Sequence, residues 1–491
     1  MRPSGWAAEV VGADALVPSL DGGRRRYVNL DNAASAPPLV AVRDAVERFA
    51  PWYSSVHRGS GFKSQVSTHA YEAAREAVGR FVGADAERET VVFVRNTTEG
   101  LNKVARALRP TEPIVFTTIM EHHANLLPWQ AWASEVRLIN VDVEGRLDLE
   151  DLERQLKAAP TGRPRLVAIS GAYNVTGYTP PIHAAARLAH RYGARILVDG
   201  AQLVPHRPVS MRGTDAEDGL DFLVFSAHKL YAPYGGGALI TPNDVFVDTP
   251  TELGGGVVEM VMLDRILWSD LPDREEAGSP NVVGAVALHA AVHRLEELGM
   301  DNVAAHEATL TEYALRRLGE VPGLQMFGPT GTHERLGVLT FRMTDVPHML
   351  VASVLGHEWG VGVRAGCFCA HPGMLHLLKV PRDEAHRISA LIESGDKRSV
   401  PGAVRASLGL YNTAADVDVL VEGLHAIAAG QYERRYELDA RTGEYVPSGW
   451  LPQYEAFSSA THAERRSPRR RMTDSRRASS ARAKLTHRAA R

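Results

Sequence analysis

"FSAHKLYAPYGGGALI", residues 225–240, joins two apolar runs through a polar turn holding His228 and Lys229 and a run of three glycines. The runs on either side, "DFLVFSA" at 221–227 and "GGALIT" at 236–241, have the length and apolar continuity of buried strands. A lysine that only solvates a surface needs no such setting. Here Lys229 closes a strand, with Ser226 and His228 just before it and glycines just after.

Outward from this stretch the same pattern repeats. "TVVFVRN" (90–96), "PIVFTTI" (113–119), "RLVAIS" (165–170) and "ARILVDG" (194–200) read as further strands. "TEGLNKVARAL" reads as a helix with Leu101, Val104, Ala105 and Leu108 on one face, and "IHAAARLAHRYG" as another. "DLEDLERQLKAA" opens with Asp148 three residues before Asp151, a capping-type start. Strand–helix alternation predicts an α/β fold with a largely parallel sheet. The helix "AVALHAAVHRLEELGM" leads out of it. Beyond lie "HEATLTEYALRRLGEV", "LGVLTFRM", "HMLVASVLGHEWG" and "VDVLVEGLHAIAAG", which predict a smaller α+β domain. The expected organisation is an N-terminal segment (1–26), a large α/β domain (27–295), a small C-terminal domain (296–430), an aromatic-containing extension (431–463) and a basic tail (464–491).

Composition is that of a globular protein, 44% hydrophobic and 23% charged, with no apolar run long enough for a membrane span. Glu9 and Asp14 fall where a signal peptide needs an apolar region. Two cysteines in 491 residues exclude a disulfide framework, and a reducing cytoplasm is the expected location. The net charge of −3 conceals an asymmetry: residues 464–491 hold eleven Lys/Arg against two Asp/Glu, a net of +9, which leaves −12 on the rest. That Arg-, Ser- and Ala-rich tail is expected to be a disordered, solvated extension. It has no aromatic interleaving, so direct nucleic-acid contact is not the favoured reading.

Polar residues collect at the carboxyl ends of the predicted strands, where ligand sites form in such sheets. "RNTTEG" places Thr97 and Thr98 at a strand-to-helix turn, whose unpaired N–H groups suit phosphate. "LVDGAQ" ends an apolar run on Asp199, with Gln202 three residues further on. His122 follows another strand in "MEHHANLLPW". Pyridoxal phosphate needs an amine for its aldehyde, an acid for its ring nitrogen and donors for its phosphate. Lys229, Asp199 and the Ser226/His228/Thr98 group offer all three, and the imidazole of His122 could stack on its ring.

With these residues stand "YVNLDNAASAPP", "VHRG", "RNTTEGLN", "EHHANLLPW", "VDGAQ", "SAHKLYAPYGGGAL", "EAGSPN" and "VRASLGLYNT", in that order. From about residue 27 to 430 the chain resembles the class V aminotransferase fold, most closely its cysteine desulfurase and selenocysteine lyase branch. The resemblance implies a fold-type-I homodimer that binds pyridoxal phosphate through Lys229. It implies that His122 stacks on the ring, Asp199 pairs with its nitrogen, and Gln202 and Asn174 contact its oxygen. Thr97, Thr98, Ser226 and His228 would hold the phosphate, joined by Ser279 from the partner subunit. Arg405 would grip the substrate carboxylate, which suits the bidentate geometry of a guanidinium.

Both cysteines lie in "VRAGCFCAHP", residues 363–372. The resemblance puts Cys369 at the position that takes sulfur from L-cysteine, or selenium from selenocysteine, as alanine leaves. A sulfur-acceptor protein would then receive it. Arg364 and a helix beginning around Pro372 are expected to favour the Cys369 thiolate. Many relatives carry two histidines where this chain has Cys367 and Phe368, and "GCFC" looks more like the loop of the molybdenum-cofactor sulfurase aminotransferase domain. Cys367 is read as a packed neighbour rather than a relay thiol, and a Cys367/Cys369/His371 metal site is disfavoured by its short spacing. The competing reading is an epimerase, lyase or transaminase of the same fold that does not use Cys369.

Overall fold

Continuous apolar runs become strands covered on both faces, and alternating runs become edges. The computed structural model describes residues 5–57, 59–215, 217–433, 435–451 and 454. Its main sheet has seven strands: β1 (Glu89–Val94), β2 (Ile114–Thr118), β3 (Glu135–Ile139), β4 (Arg165–Ser170), β5 (Arg195–Asp199), β6 (Phe222–Ser226) and β7 (Gly237–Pro242). They lie in the order β1-β7-β6-β5-β4-β2-β3. The pairs β2–β3, β2–β4, β4–β5 and β5–β6 are parallel, and β7 runs antiparallel to both its neighbours. Every residue of β2 and β6 is buried, as expected where helices cover both faces.

β3 has no counterpart in the sequence reading. It is an edge strand in which only Ile139 is fully buried, and its Glu135 and Arg137 pair with each other. An edge strand needs little apolar pattern, so hydrophobic periodicity passes over it.

The register sets the future site. Ser170 lies beside Asp199 at the ends of β4 and β5, and Ser226 lies beside Gly237 where β6 meets β7. A Cβ at Gly237 would fall 2.6 Å from the Phe225 carbonyl oxygen and 3.2 Å from Asn96 Cα. Glycine there lets β7 begin tight against the ends of β1 and β6.

The helix Thr97–Leu108 follows β1 directly, with Leu101, Val104 and Ala105 buried. Its cap is Asn96, whose side chain accepts from Glu99 N at 3.0 Å. Thr97 is thereby left free of the capping role. Asp148 does cap Leu149–Ala158, accepting from Asp151 N at 2.9 Å.

A second sheet of four antiparallel strands comprises β8 (Leu324–Phe327), β9 (Val338–Met343), β10 (Arg364–Gly366) and β11 (Ala403–Ser407), in the order β8-β9-β11-β10. Helices Met300–Gly319, His348–Glu358 and Ala414–Ala428 complete its apolar cluster through Leu310, Val351, Leu355, Leu420 and Leu424. Val28 and Leu30, far away in sequence, join this cluster because Val28–Asn29 pairs in parallel with Val361–Gly362. Residues through Ser448 form one compact unit. Within it the aromatic-containing extension makes a hairpin, Tyr436–Leu438 with Tyr445–Pro447. The hairpin is tied to the helix His348–Glu358 by Ser353 Oγ donating to Tyr445 O (2.6 Å) and Tyr436 Oη donating to Glu358 (2.8 Å).

The other unit begins at Gly449. The basic tail expected at 464–491 lies outside the described residues. Among the described residues no helix is long and apolar enough to cross a membrane.

Candidate active site

A cavity of about 350 Å³ opens where the carboxyl ends of β1, β4, β5 and β6 meet the second sheet. At one end, Thr97 N donates to Ser226 Oγ at 2.8 Å, and the two hydroxyls lie 2.7 Å apart. Thr98 and His228 line the same end. Burial first, and then the neighbouring Lys229, push the His228 imidazole down to about 4, so it is neutral at ordinary pH. The hydroxyls and the first turn of the helix Thr97–Leu108 form a donor-rich pocket suited to an anion.

Lys229 stands in the centre. It keeps part of its surface open to the cavity but is surrounded by protein, and that desolvation lowers its ammonium to about 8. Asp199, at the end of β5 and 5% exposed, raises it again in part. The Asp199 carboxyl is itself pushed up by burial, with Ala201 N donating to Oδ1 at 2.9 Å as its described hydrogen bond. A buried acid held so sparsely invites a cationic partner. His122 accepts from Ala124 N through Nδ1 at 3.1 Å, which puts its ring proton on Nε2. Burial, followed by Lys229, His123 and Arg405, holds it down to about 4, so a flat neutral ring faces the cavity.

At the other end Arg405 projects from β11, 3% exposed. Its Nη1 donates to Asn174 O at 2.9 Å and its Nη2 to Asp31 at 3.2 Å, while Nε is buried without a partner among the described residues. Burial lowers this guanidinium to about 10 despite the Asp31 carboxylate. Asn174 donates to Phe368 O and Gln202 to Ala33 O, both at 2.7 Å. Both amides therefore face the cavity while bonded to its wall.

The loop between β10 and the helix His371–Leu377 distinguishes the two cysteines. Phe368 and Cys369 both have left-handed backbones, with φ of 54° and 57°. That conformation costs roughly 1–3 kcal/mol for each non-glycine residue and needs firm anchoring. Cys367 is buried, donates to Pro401 O at 2.8 Å, and has its thiol pushed up to about 11 by burial. Cys369 is exposed and lines the cavity. The helix starts at His371, next to the expected Pro372. Arg364 lines the same cavity, with its guanidinium bound to Asp31 at 2.8 Å. Lys229 and Arg405 line the cavity with Cys369.

The cavity thus gathers Thr97, Thr98, His122, Asn174, Asp199, Gln202, Ser226, His228, Lys229, Cys369 and Arg405. Ser279, expected to act from a partner subunit, is outside it and lines neighbouring cavities of about 280 and 560 Å³. Among the described residues no three His, Cys, Asp or Glu side chains are grouped to hold a metal ion. Sequence reading gave no role to Asp31, although it sits inside a quoted motif. It also missed Glu121, fully buried behind His122. Glu121 accepts from Thr118, Asn125 and Ser170 at 2.9, 2.8 and 2.6 Å, and burial pushes its carboxyl up to about 7. Adjacency to His122 was the available signal for Glu121.

The depressed amine, the sparsely held acid, the neutral ring and the donor pocket fit pyridoxal phosphate. A curated cysteine desulfurase of Haloferax volcanii is 38% identical over 428 residues, covering 85% of this chain and 93% of that protein. The cysteine desulfurase of Thermococcus onnurineus, solved in its apo form, superposes with a TM-score of 0.72 at 31% identity, covering 82% of this chain and 95% of that one. The S-sulfonic acid form of the Escherichia coli cysteine desulfurase CsdA superposes with a TM-score of 0.71 at 31% identity, covering 88% and 100%. The family model for aminotransferase class-V matches residues 28–420, a span that carries both sheets and every residue of the cavity, and the chain belongs to that family.

Proposed function

We propose that this protein is a pyridoxal-phosphate-dependent cysteine desulfurase that converts L-cysteine to L-alanine and takes the sulfur onto Cys369. The observation that carries this reading is the meeting of Lys229, Asp199, His122, Arg405 and the exposed Cys369 in one cavity. The names of the relatives support it and favour L-cysteine over selenocysteine as substrate.

When bound, pyridoxal phosphate supplies an aldehyde for the substrate amine and a ring that holds the electron pair released at Cα. The protein does the rest. Arg405, which lines the cavity, offers its guanidinium to the substrate carboxylate and fixes the orientation of the amino acid. Asp199 provides the negative charge for the ring nitrogen. His122, uncharged, stacks without adding a competing cation. Thr97, Thr98, Ser226 and His228 would hold the phosphate, and Asn174 and Gln202, which line the same cavity, would contact the ring oxygen. The Lys229 amine, near neutrality at about 8, takes the proton from Cα and returns it later.

The Cys369 thiolate attacks the substrate sulfur. An S–S bond forms, the Cβ–S bond breaks, and its electron pair stays with the carbon fragment, which leaves as alanine after protonation. Cys369 then carries a persulfide for an acceptor protein or an external thiol. A free thiol in this role suits a reducing cytoplasm. Ser279 is assigned to the phosphate site of a second copy in a homodimer.

The test is incubation with L-cysteine and dithiothreitol, with alanine and sulfide measured together. Equal yields of both, with a 369-containing peptide that gains one sulfur after brief treatment, are expected. Turnover of L-cysteine without sulfide, or without sulfur on Cys369, would replace this reading by a transaminase, lyase or epimerase.

A further inference from the structure

We infer that His123 is a positioning residue for the Cys369 loop and that His371 is its counterpart, an assignment that rests on the desulfurase reading for its consequence but not for its geometry. His123 holds the loop at two points on the downstream side of the cysteine. Its backbone N–H donates to Cys369 O at 2.8 Å, and its ring Nε2 accepts from His371 N at 3.2 Å. The same Nε2 lies 3.1 Å from His371 Nδ1. The two rings are nearly parallel, 6° apart, with centroids separated by 4.9 Å.

The protonation pattern follows from these contacts. A backbone N–H can only donate, so His123 Nε2 carries no proton and the ring proton sits on Nδ1. The His371 backbone N–H thus fixes the tautomer of His123.

The strain in the loop gives this pair its purpose. Phe368 and Cys369 are consecutive residues in left-handed backbone conformations, a state that persists only where neighbours hold it. Asn174 holds the Phe368 carbonyl and Pro401 holds the Cys367 thiol on the upstream side. Downstream, His123 bonds the Cys369 carbonyl and the His371 amide, and so fixes the direction in which Cys369 points. His123 also follows His122 in sequence, so one short turn sets both the ring-stacking imidazole and the thiol.

The test compares His123→Phe, His123→Gln and His371→Ala in the full-length holoenzyme. The first readout is the rate at which iodoacetamide alkylates Cys369 without L-cysteine, mapped by mass spectrometry. The second is the single-turnover rate at which sulfur arrives on Cys369. Glutamine can place an oxygen near the position of Nε2 and accept from the His371 amide; phenylalanine cannot. His123→Phe should alkylate faster and acquire sulfur more slowly, each by about tenfold, the factor expected for loss of a hydrogen bond of ordinary strength. His123→Gln should restore slow alkylation. His371→Ala, a change at an exposed side chain that retains the backbone bond, should fall between. Wild-type alkylation rates in both His123→Phe and His371→Ala, or a Gln variant no different from Phe, would overturn the assignment. If the alkylation pattern holds while no sulfur reaches Cys369 even in the wild type, the positioning role stands and the desulfurase reading falls.

Discussion

Arg364 and Arg405 stand directly opposite each other across the β10–β11 ladder, and Asp31 bonds both guanidinium groups. Like charges in cross-strand register repel. A single carboxylate from a loop more than 330 residues upstream offsets the repulsion, while Arg405 Nε stays buried without a partner among the described residues. The carboxylate site is therefore balanced: enough negative charge to keep Arg405 buried, not enough to satisfy it. Asp31→Asn should lower unfolding stability by about 1.5–3 kcal/mol, the range for hydrogen bonds to charged groups. Urea unfolding measures this, and an unchanged midpoint would remove Asp31 from the account.

Arg405→Lys should raise KM for L-cysteine by about tenfold or more, because an ammonium cannot present the planar two-donor edge of a guanidinium. The visible absorbance of bound pyridoxal phosphate should stay near that of the wild type, since no assigned cofactor contact is lost. A variant that loses the absorbance instead would place Arg405 in the cofactor site.

Lys229→Ala should abolish the absorbance, and borohydride reduction of the wild type should fix a pyridoxyl group to Lys229. The neutral amine is the reactive form. With its ammonium lowered to about 8 from an ordinary 10.5, capture of added pyridoxal phosphate by cofactor-free protein should rise with pH through about 8 and then level off. An ordinary lysine would still be gaining reactivity at pH 10. The linkage to stability runs in the same direction. The unfolded chain holds this proton more tightly, so the unfavourable contribution is fully present below about pH 8 and fades as pH rises toward 10.5.

Cys369→Ala should still bind pyridoxal phosphate and L-cysteine but release almost no sulfide and carry no persulfide. Cys367→Ala should keep most of its turnover, because that thiol is buried and bonded to Pro401. Mass spectrometry after brief exposure to L-cysteine distinguishes them. Normal sulfide release from Cys369→Ala would refute the mechanism.

Lys103 gives a test of the scaffold beneath the site. On the helix whose first turn holds Thr97 and Thr98, its ammonium is buried, 3.2 Å from Glu275 and 3.0 Å from Thr251. Lys103→Met leaves the Glu275 charge buried without its partner and should cost about 3–5 kcal/mol. Adding Glu275→Leu should recover much of that loss, because the stranded charge is gone. Denaturant titration of the single and double variants reads both outcomes.

The amino-acid order by itself determined the alternation of strands and helices, the Asp148 cap and the strand-end positions of Asp199, Ser226 and Lys229. These features are local: burial on both faces demands continuous apolar runs, and a cap demands a side chain within one turn. Everything that depends on a partner far along the chain was decided by the tertiary structure. The ladder register put Arg364 opposite Arg405, and a parallel bridge brought Asp31 beside Ser407 and so within reach of both. Burial of Lys103 and Glu121 was decided by elements that pack over them, since a lysine or glutamate carries no apolar signal of its own. Cys367 and Cys369, alike as letters, separated only when the loop folded: Pro401 took one thiol inward, and two left-handed residues left the other lining the cavity.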